Sequence, residues 1–247
     1  MENALRIGLS RQMALQTQMN VIANNLANIN TAGFKRDLVQ MEEFRIPVAE
    51  MTELNGQDKK LSYTHDRAVV KNMVSGAIKQ SGNELDVAIS GEGWFAINTP
   101  NGERYTRNGE FKLNQNGTLV TNAGQPVLGE GGEVSFGPNE TNITIARDGT
   151  ISSSDGIKGK LKVVAFENEQ ELKKEGFNLF NSPTPATPVA APHLMQGMIE
   201  QSNVKPVLEL TKMIETVRAY TSQARMIQKT EELKTEAIEK LAHMPQR

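Results

Sequence analysis

The chain has 247 residues, 27 basic and 29 acidic, for a net charge of −2; 38% of its residues are hydrophobic and 5% aromatic. The charges are interspersed, so no basic run offers a footprint for nucleic acid or an anionic membrane surface. The chain contains no cysteine, which excludes disulfides, thiolate metal sites and cysteine nucleophiles.

In chain order, the first predicted element is a helix over 3–30. Leu5, Gly8, Gln12, Leu15, Met19, Ile22, Leu26 and Ile29 keep a spacing of three and four, and six of the eight are apolar. A seam of this length argues for helix–helix packing. Asn3 is placed to cap the start, and Gly33 to end the helix in a left-handed conformation. Four asparagines, Asn24, Asn25, Asn28 and Asn30, crowd the end of this helix. Asparagine is a poor helix former because its amide competes for backbone groups. On an apolar stripe these amides point to hydrogen bonds with neighbouring helices that set register. Exposed amides at a frayed helix end are the plainer alternative.

Residues 35–81 read as an extended, partly irregular connector. Phe44, Ile46 and Val48 precede a turn-prone stretch at 55–60, with short extended pieces near 61–64 and 68–71. Residues 82–182 read as a β domain. Leu85-Asp86-Val87-Ala88-Ile89 alternates, and Trp94-Phe95-Ala96-Ile97 is a short apolar run. Asn-Gly or Asp-Gly pairs then recur at 101–102, 108–109, 116–117, 148–149 and 155–156. Such pairs supply the positive φ of tight hairpin turns. The pieces at 103–107, 110–113, 118–121 and 161–166 are strand-length, which predicts an antiparallel barrel or sandwich. Pro183, Pro185, Pro188 and Pro192 mark 183–205 as an extended linker and return segment.

The last predicted element is a helix over 206–242, within a terminal region 206–247. Pro206 suits its first turn and Pro245 closes the far end. With position a at Leu210, the a series is Leu210, Val217, Ala224, Glu231 and Ile238, and the d series Met213, Tyr220, Ile227, Lys234 and Leu241. Eight of these ten are apolar or aromatic. The fold class is therefore α+β: a mostly antiparallel β middle domain between long terminal helices that pair as a coiled coil in an assembly. No aromatic residue precedes Phe34, and only Tyr220 follows Phe180. The terminal stripes thus lack bulky anchors and are expected to order through packing against a partner.

Motifs for chemistry are weak. Ser90-Gly91-Glu92-Gly93-Trp94 lacks a phosphate-loop spacing and reads as a strand-joining turn. His65, His193 and His243 are scattered and read as solvated loop residues. Asn114-Gln115-Asn116-Gly117 has no downstream carboxylate ladder and reads as a hairpin turn, not a calcium loop. No catalytic residue, metal, cofactor or small-molecule substrate is expected. A secreted carbohydrate-active or surface-binding β protein is the alternative class; it calls for a carboxylate pair roughly 5–10 Å apart, and no marked pair is present. No apolar run approaches the ~20 residues of a membrane span. The opening residues lack the basic start and hydrophobic block of a cleavable secretory signal.

Three segments carry a resemblance. Ala23-Asn24-Asn25-Leu26-Ala27-Asn28-Ile29-Asn30-Thr31-Ala32-Gly33-Phe34-Lys35 resembles the N-terminal signature of the bacterial flagellar rod and hook proteins. Residues 85–95, with Tyr105-Thr106-Arg107-Asn108-Gly109-Glu110-Phe111, resemble that family's middle β domain. Glu200-Gln201-Ser202-Asn203-Val204, with Met213-Ile214 and Arg218-Ala219-Tyr220, resembles its C-terminal signature. The segments occur in family order and span nearly the whole chain. Within the family, Met1-Glu2-Asn3-Ala4-Leu5-Arg6 and Asn203-Val204-Lys205-Pro206-Val207 are similar to a proximal-rod member. Thr221 after Tyr220 departs from the distal-rod pattern, which carries an acidic residue there; a distal-rod member of the same family is the alternative.

The resemblance implies a structural subunit of the basal-body rod, exported unfolded through the flagellar type III apparatus. It implies assembly in the periplasm with copies of itself and other rod proteins into a shaft that carries torque. The assembly interface it implies comprises Leu5, Leu15, Met19, Ile22, Asn24, Asn25, Leu26, Asn28 and Asn30 on the first helix. On the last it comprises Leu210, Met213, Val217, Tyr220, Ala224, Ile227, Ile238 and Leu241.

Overall fold

The computed structural model describes residues 2–47 and 60–242, with side chains over 5–40 and 68–240. Val48, residues 55–59 and His243 lie outside the described residues, as do the side chains of Phe44, Ile46, His65 and Leu241. The chain divides into two compact units. One comprises Met1–Ala27, Asp37–Val70 and Lys205–Arg247; the other comprises Asn28–Arg36 and Lys71–Val204.

The first unit holds α1 (Glu2–Ala27), α2 (Pro206–Ala242) and a two-stranded sheet of Asp37–Pro47 and Lys60–Lys71. The two expected pieces near 61–64 and 68–71 are one continuous strand, and His65 sits in it, not in a loop. Asn3 lies inside α1, so it does not cap it. The helices pack antiparallel within the single chain. Gly8 faces Gln223 and Ile227, where an added Cβ would come within 2.9 Å and 3.2 Å of their side chains. Towards the other end of α1, Asn25 reaches Glu209.

The second unit is built on a six-stranded sheet. Its order is Lys173–Lys174, Phe180–Asn181, Gly102–Thr106, Trp94–Thr99, Val163–Ala165 and Thr187–Pro188, antiparallel throughout. Successive side chains of a strand point to opposite faces, and the run Trp94-Phe95-Ala96-Ile97 is buried on both. Phe95 and Ile97 join a core with Phe111, Leu119, Ile151 and Leu194. Trp94 and Ala96 join a second core with Tyr105, Val164 and Phe180. Smaller sheets complete the first core, so the antiparallel β domain, expected as a barrel or sandwich, is one six-stranded sheet with satellite hairpins. Pro188 pairs with Val164 at the edge of the sheet, where a missing N–H costs no ladder bond.

The return segment is more structured than its prolines suggest. Leu194–Gln196 pairs with Val87–Ile89, and Met198–Glu200 pairs with Ile78–Gln80. Of the expected Asn-Gly turns, Asn108-Gly109 has a different basis, since Gly109 does not take a positive φ. Its Cα packs on the backbone of Val87, and a Cβ would stand 1.7 Å from the Val87 carbonyl oxygen. Asn114 fulfils its hairpin role: Oδ1 accepts from the N–H groups of Asn116 and Thr118.

One carboxylate sets an acid dependence. Glu140 accepts hydrogen bonds from Lys158 Nζ, Ser153 Oγ and the Gly137 N–H, and these hold its carboxyl down at about 2 from an ordinary 4.5. The folded state therefore binds fewer protons than the unfolded one between these values. Glu140's contribution to stability is present above pH 4.5 and is lost as pH falls towards 2. A carboxyl NMR titration checks the midpoint. In Glu140→Gln the stability lost by the native chain across this window should shrink, and an unchanged acid profile would contradict the assignment.

Candidate assembly interface

The buried stripe of α1 follows the seam read from its sequence. Leu15 and Ile22 are buried with Ala14, while Leu5, Met19 and Leu26 are half-buried. Asn25 is fully buried: its Nδ2 donates to the Asp37 carbonyl at 2.8 Å and to Glu209 Oε2 at 3.4 Å, and its Oδ1 accepts from the Asp37 N–H at 2.9 Å. One amide thereby joins both helices to the start of the first strand. Asn28 and Asn30 lie beyond the helix, which ends three residues earlier than expected. Asn28 Oδ1 accepts from Thr31 Oγ1, and the Thr31 N–H donates to the Asn28 carbonyl, so this segment closes as a turn. Asn24 and Asn30 are exposed.

On α2 two faces separate. Glu209 and Thr216 are buried, and Met213, Tyr220, Ala224 and Ile227 are half-buried. Thr216 back-bonds to the Lys212 carbonyl at 2.7 Å, which lets a polar side chain sit there. Of the a positions read from the sequence, Ala224 stays on this face but Leu210, Val217 and Ile238 turn elsewhere. Leu210 is 47% exposed, Val217 41% and Ile238 57%. With Val207 and Ile214, Leu210 and Val217 form an exposed apolar stripe at spacings of three and four. Leu9 and Met13 make a shorter exposed pair on α1.

The second unit contains a charge cluster that hydropathy did not reveal. Lys35 Nζ donates to Glu200 Oε1 at 2.7 Å and to the Val74 carbonyl at 3.2 Å. Arg107 Nη1 lies 3.6 Å from Glu200 Oε2, and its guanidinium stands 5.5 Å from the centre of the Trp94 ring. All three charged side chains are buried. Burial pushes the Lys35 ammonium and the Arg107 guanidinium below their ordinary values, and Glu200 opposes the shift in both. Each charged residue comes from a different one of the three signature segments. That shared membership was the only signal in the sequence that could have found the cluster.

Gly33 shows how tightly the first signature docks. It has φ +65°, its N–H donates to the Glu200 carbonyl at 2.7 Å, and a Cβ would stand 2.4 Å from the Arg107 carbonyl carbon. Gly33→Ala should therefore cost about 1–3 kcal/mol from backbone strain alone, and more if the Arg107 backbone has to move. Denaturation followed by fluorescence of Trp94, the sole tryptophan, would measure the loss. A neutral result would place the segment less tightly than these distances require.

Comparison with known proteins matches these same segments. Residues 5–35 match the flagella basal body rod protein family, residues 88–153 the flagellar hook protein FlgE/F/G D1 domain, and residues 195–239 the flagellar basal body rod FlgEFG protein C-terminal region. The flagellar basal-body rod protein FlgF of Caulobacter vibrioides is 40% identical over 245 residues, covering 98% of each chain. The chain belongs to the flagellar basal-body rod FlgE/F/G family. FlgF of Mesorhizobium japonicum is 34% identical over 98% of each chain, and the rod protein FlgG of Buchnera aphidicola subsp. Acyrthosiphon pisum is 35% identical over 89% of this chain and 92% of its own. This is a structural rod protein, FlgF-like, of a non-enzymatic family. Family membership implies assembly with rod proteins. Among the described residues no helix is long and apolar enough to cross a membrane.

Proposed function

We propose that this FlgF-like subunit polymerises with other rod proteins and with copies of itself into the periplasmic shaft that transmits torque. Delivery through the flagellar type III export apparatus belongs to the same reading. The observation that carries it is the apolar stripe of Val207, Leu210, Ile214 and Val217, left exposed when the chain's own helices have packed. Contiguous exposed apolar surface at helical spacing marks a protein contact. A contact that joins two different faces of successive subunits propagates as an open helical filament. In this reading the stripe is covered by helices of neighbouring subunits. Met213, Tyr220, Ala224 and Ile227 support it from behind by seating α1.

Tagging the chain at the exposed Ser154-Asp155 turn and labelling isolated basal bodies for electron microscopy tests the placement. Label on the rod is the expected result. Label on the hook or filament, or none on basal bodies from a motile tagged strain, would overturn it.

A further inference from the structure

The chain passes between its two units at four points: after Ala27, Arg36, Val70 and Val204. Within the second unit, a set of polar contacts ties the segments flanking these points to one another. The Asn203 side chain accepts from the Arg36 N–H at 2.8 Å and donates to the Asn72 carbonyl at 2.7 Å. The Asn72 N–H donates to the Arg36 carbonyl at 2.8 Å, and the Gly76 N–H donates to Glu200 Oε1 at 2.9 Å. Neither hydrophobic core of the unit includes a residue of 28–36 or 200–204.

We propose that Glu200 is a latch, whose carboxylate between Lys35 and Arg107 locks the segment after α1, the segment at 72–76 and the segment before α2 into one element that opens and closes as a unit. The charge balance explains why one residue can do this. The cluster holds two buried cations and one carboxylate, and Lys35 and Glu200 have side-chain exposures of 0% and 1%. Removing the carboxylate leaves both cations buried without their nearest counter-charge, with only the more distant Glu169 and Glu92 acting on them, which is far more costly than losing one hydrogen bond. The lowest-energy escape is to release the Lys35 segment to water. Release of 28–36 frees the partners of Asn203 and Asn72 at the same moment. Met73 and the Arg107 guanidinium touch the core around Trp94, whereas the core around Phe95 includes none of these residues. Strand Trp94–Thr99 carries both cores and is held by its own ladder bonds to Gly102–Thr106 and Val163–Ala165, so it remains closed. The latch concerns the folding of the single chain and holds whether or not the stripe on α2 is the polymer contact.

Amide hydrogen exchange on the full chain tests this. In Glu200→Gln the N–H groups of Gly33, Arg36, Asn72, Gly76 and Asn203 should all speed up together, by ~100-fold or more. Those of Phe95, Ala96 and Leu119 should keep their native rates. Adding Lys35→Met to Glu200→Gln removes one uncompensated cation while the glutamine oxygen can still accept from Gly76. It should restore much of the lost protection. If Glu200→Gln unfolds the whole chain, the same double variant decides: recovery of the fold supports the latch, and failure to recover it overturns the latch. Faster exchange at Gly33 and Gly76 alone, or an equal rise at Phe95 and Leu119, would also overturn it.

Discussion

Loss of this chain is expected to stop flagellar assembly at the rod and abolish swimming while growth continues. The reason is the geometry of an open filament. Each subunit of a heterologous polymer offers the surface on which the next one docks. Removing one type of subunit from an axial series therefore removes the docking surface for everything beyond it. Electron microscopy of basal bodies from a clean deletion strain, with a swimming assay, measures the effect. Normal hooks and filaments in that strain would remove the rod assignment's functional meaning.

The second large effect is expected from charge on the exposed stripe. Ile214→Asp combined with Val217→Asp should leave the isolated protein folded, because both side chains are substantially exposed in the chain itself. In the assembled rod each aspartate would be buried without a partner. An uncompensated buried charge costs about 3–5 kcal/mol, and each 1.4 kcal/mol is roughly a factor of ten in an equilibrium constant. Incorporation should thus fall below detection and motility with it, while circular dichroism keeps its helical signal. Ile227→Asp is the contrasting variant. Ile227 is half-buried and a Cβ at Gly8 would meet it at 3.2 Å, so its charge should loosen the α1–α2 pair within one chain. A motile Ile214→Asp, Val217→Asp strain with normal rods would show that the stripe faces solvent in the shaft.

Local pattern carried much of this fold. The helix expected over 206–242 is the helix Pro206–Ala242, and the strands at Trp94–Thr99, Gly102–Thr106 and Leu119–Thr121 lie where alternation and Asn-Gly turns put them. The phase of the α2 seam was less legible. Counting apolar residues favours Leu210 and Val217, yet the adjacent Glu209 and Thr216 are the buried pair. A polar side chain can be buried where a partner is supplied, and here the partners are Asn25 and the Lys212 carbonyl. Hydropathy alone has no access to those partners.

The strands Leu194–Gln196 and Met198–Glu200 were hidden for a related reason. Their partners lie about a hundred residues earlier, and the prolines before them read as an extended exit path. The Lys35–Arg107–Glu200 cluster is more remote still, since Lys35 and Glu200 are separated by 165 residues. Only the presence of each in a signature segment marked them, and a buried ion pair leaves no periodic trace.

The most direct test of the stripe uses the chain's lack of cysteine. Val217→Cys introduces a single thiol on the exposed face of α2. Its rate of reaction with a maleimide can be compared in the isolated protein and in purified basal bodies from a motile strain carrying the same substitution. If neighbouring helices cover the stripe, the thiol should react rapidly in the isolated chain and be strongly protected in the rod. Equal rates in the two states would contradict the packing of neighbouring subunits on Val207, Leu210, Ile214 and Val217.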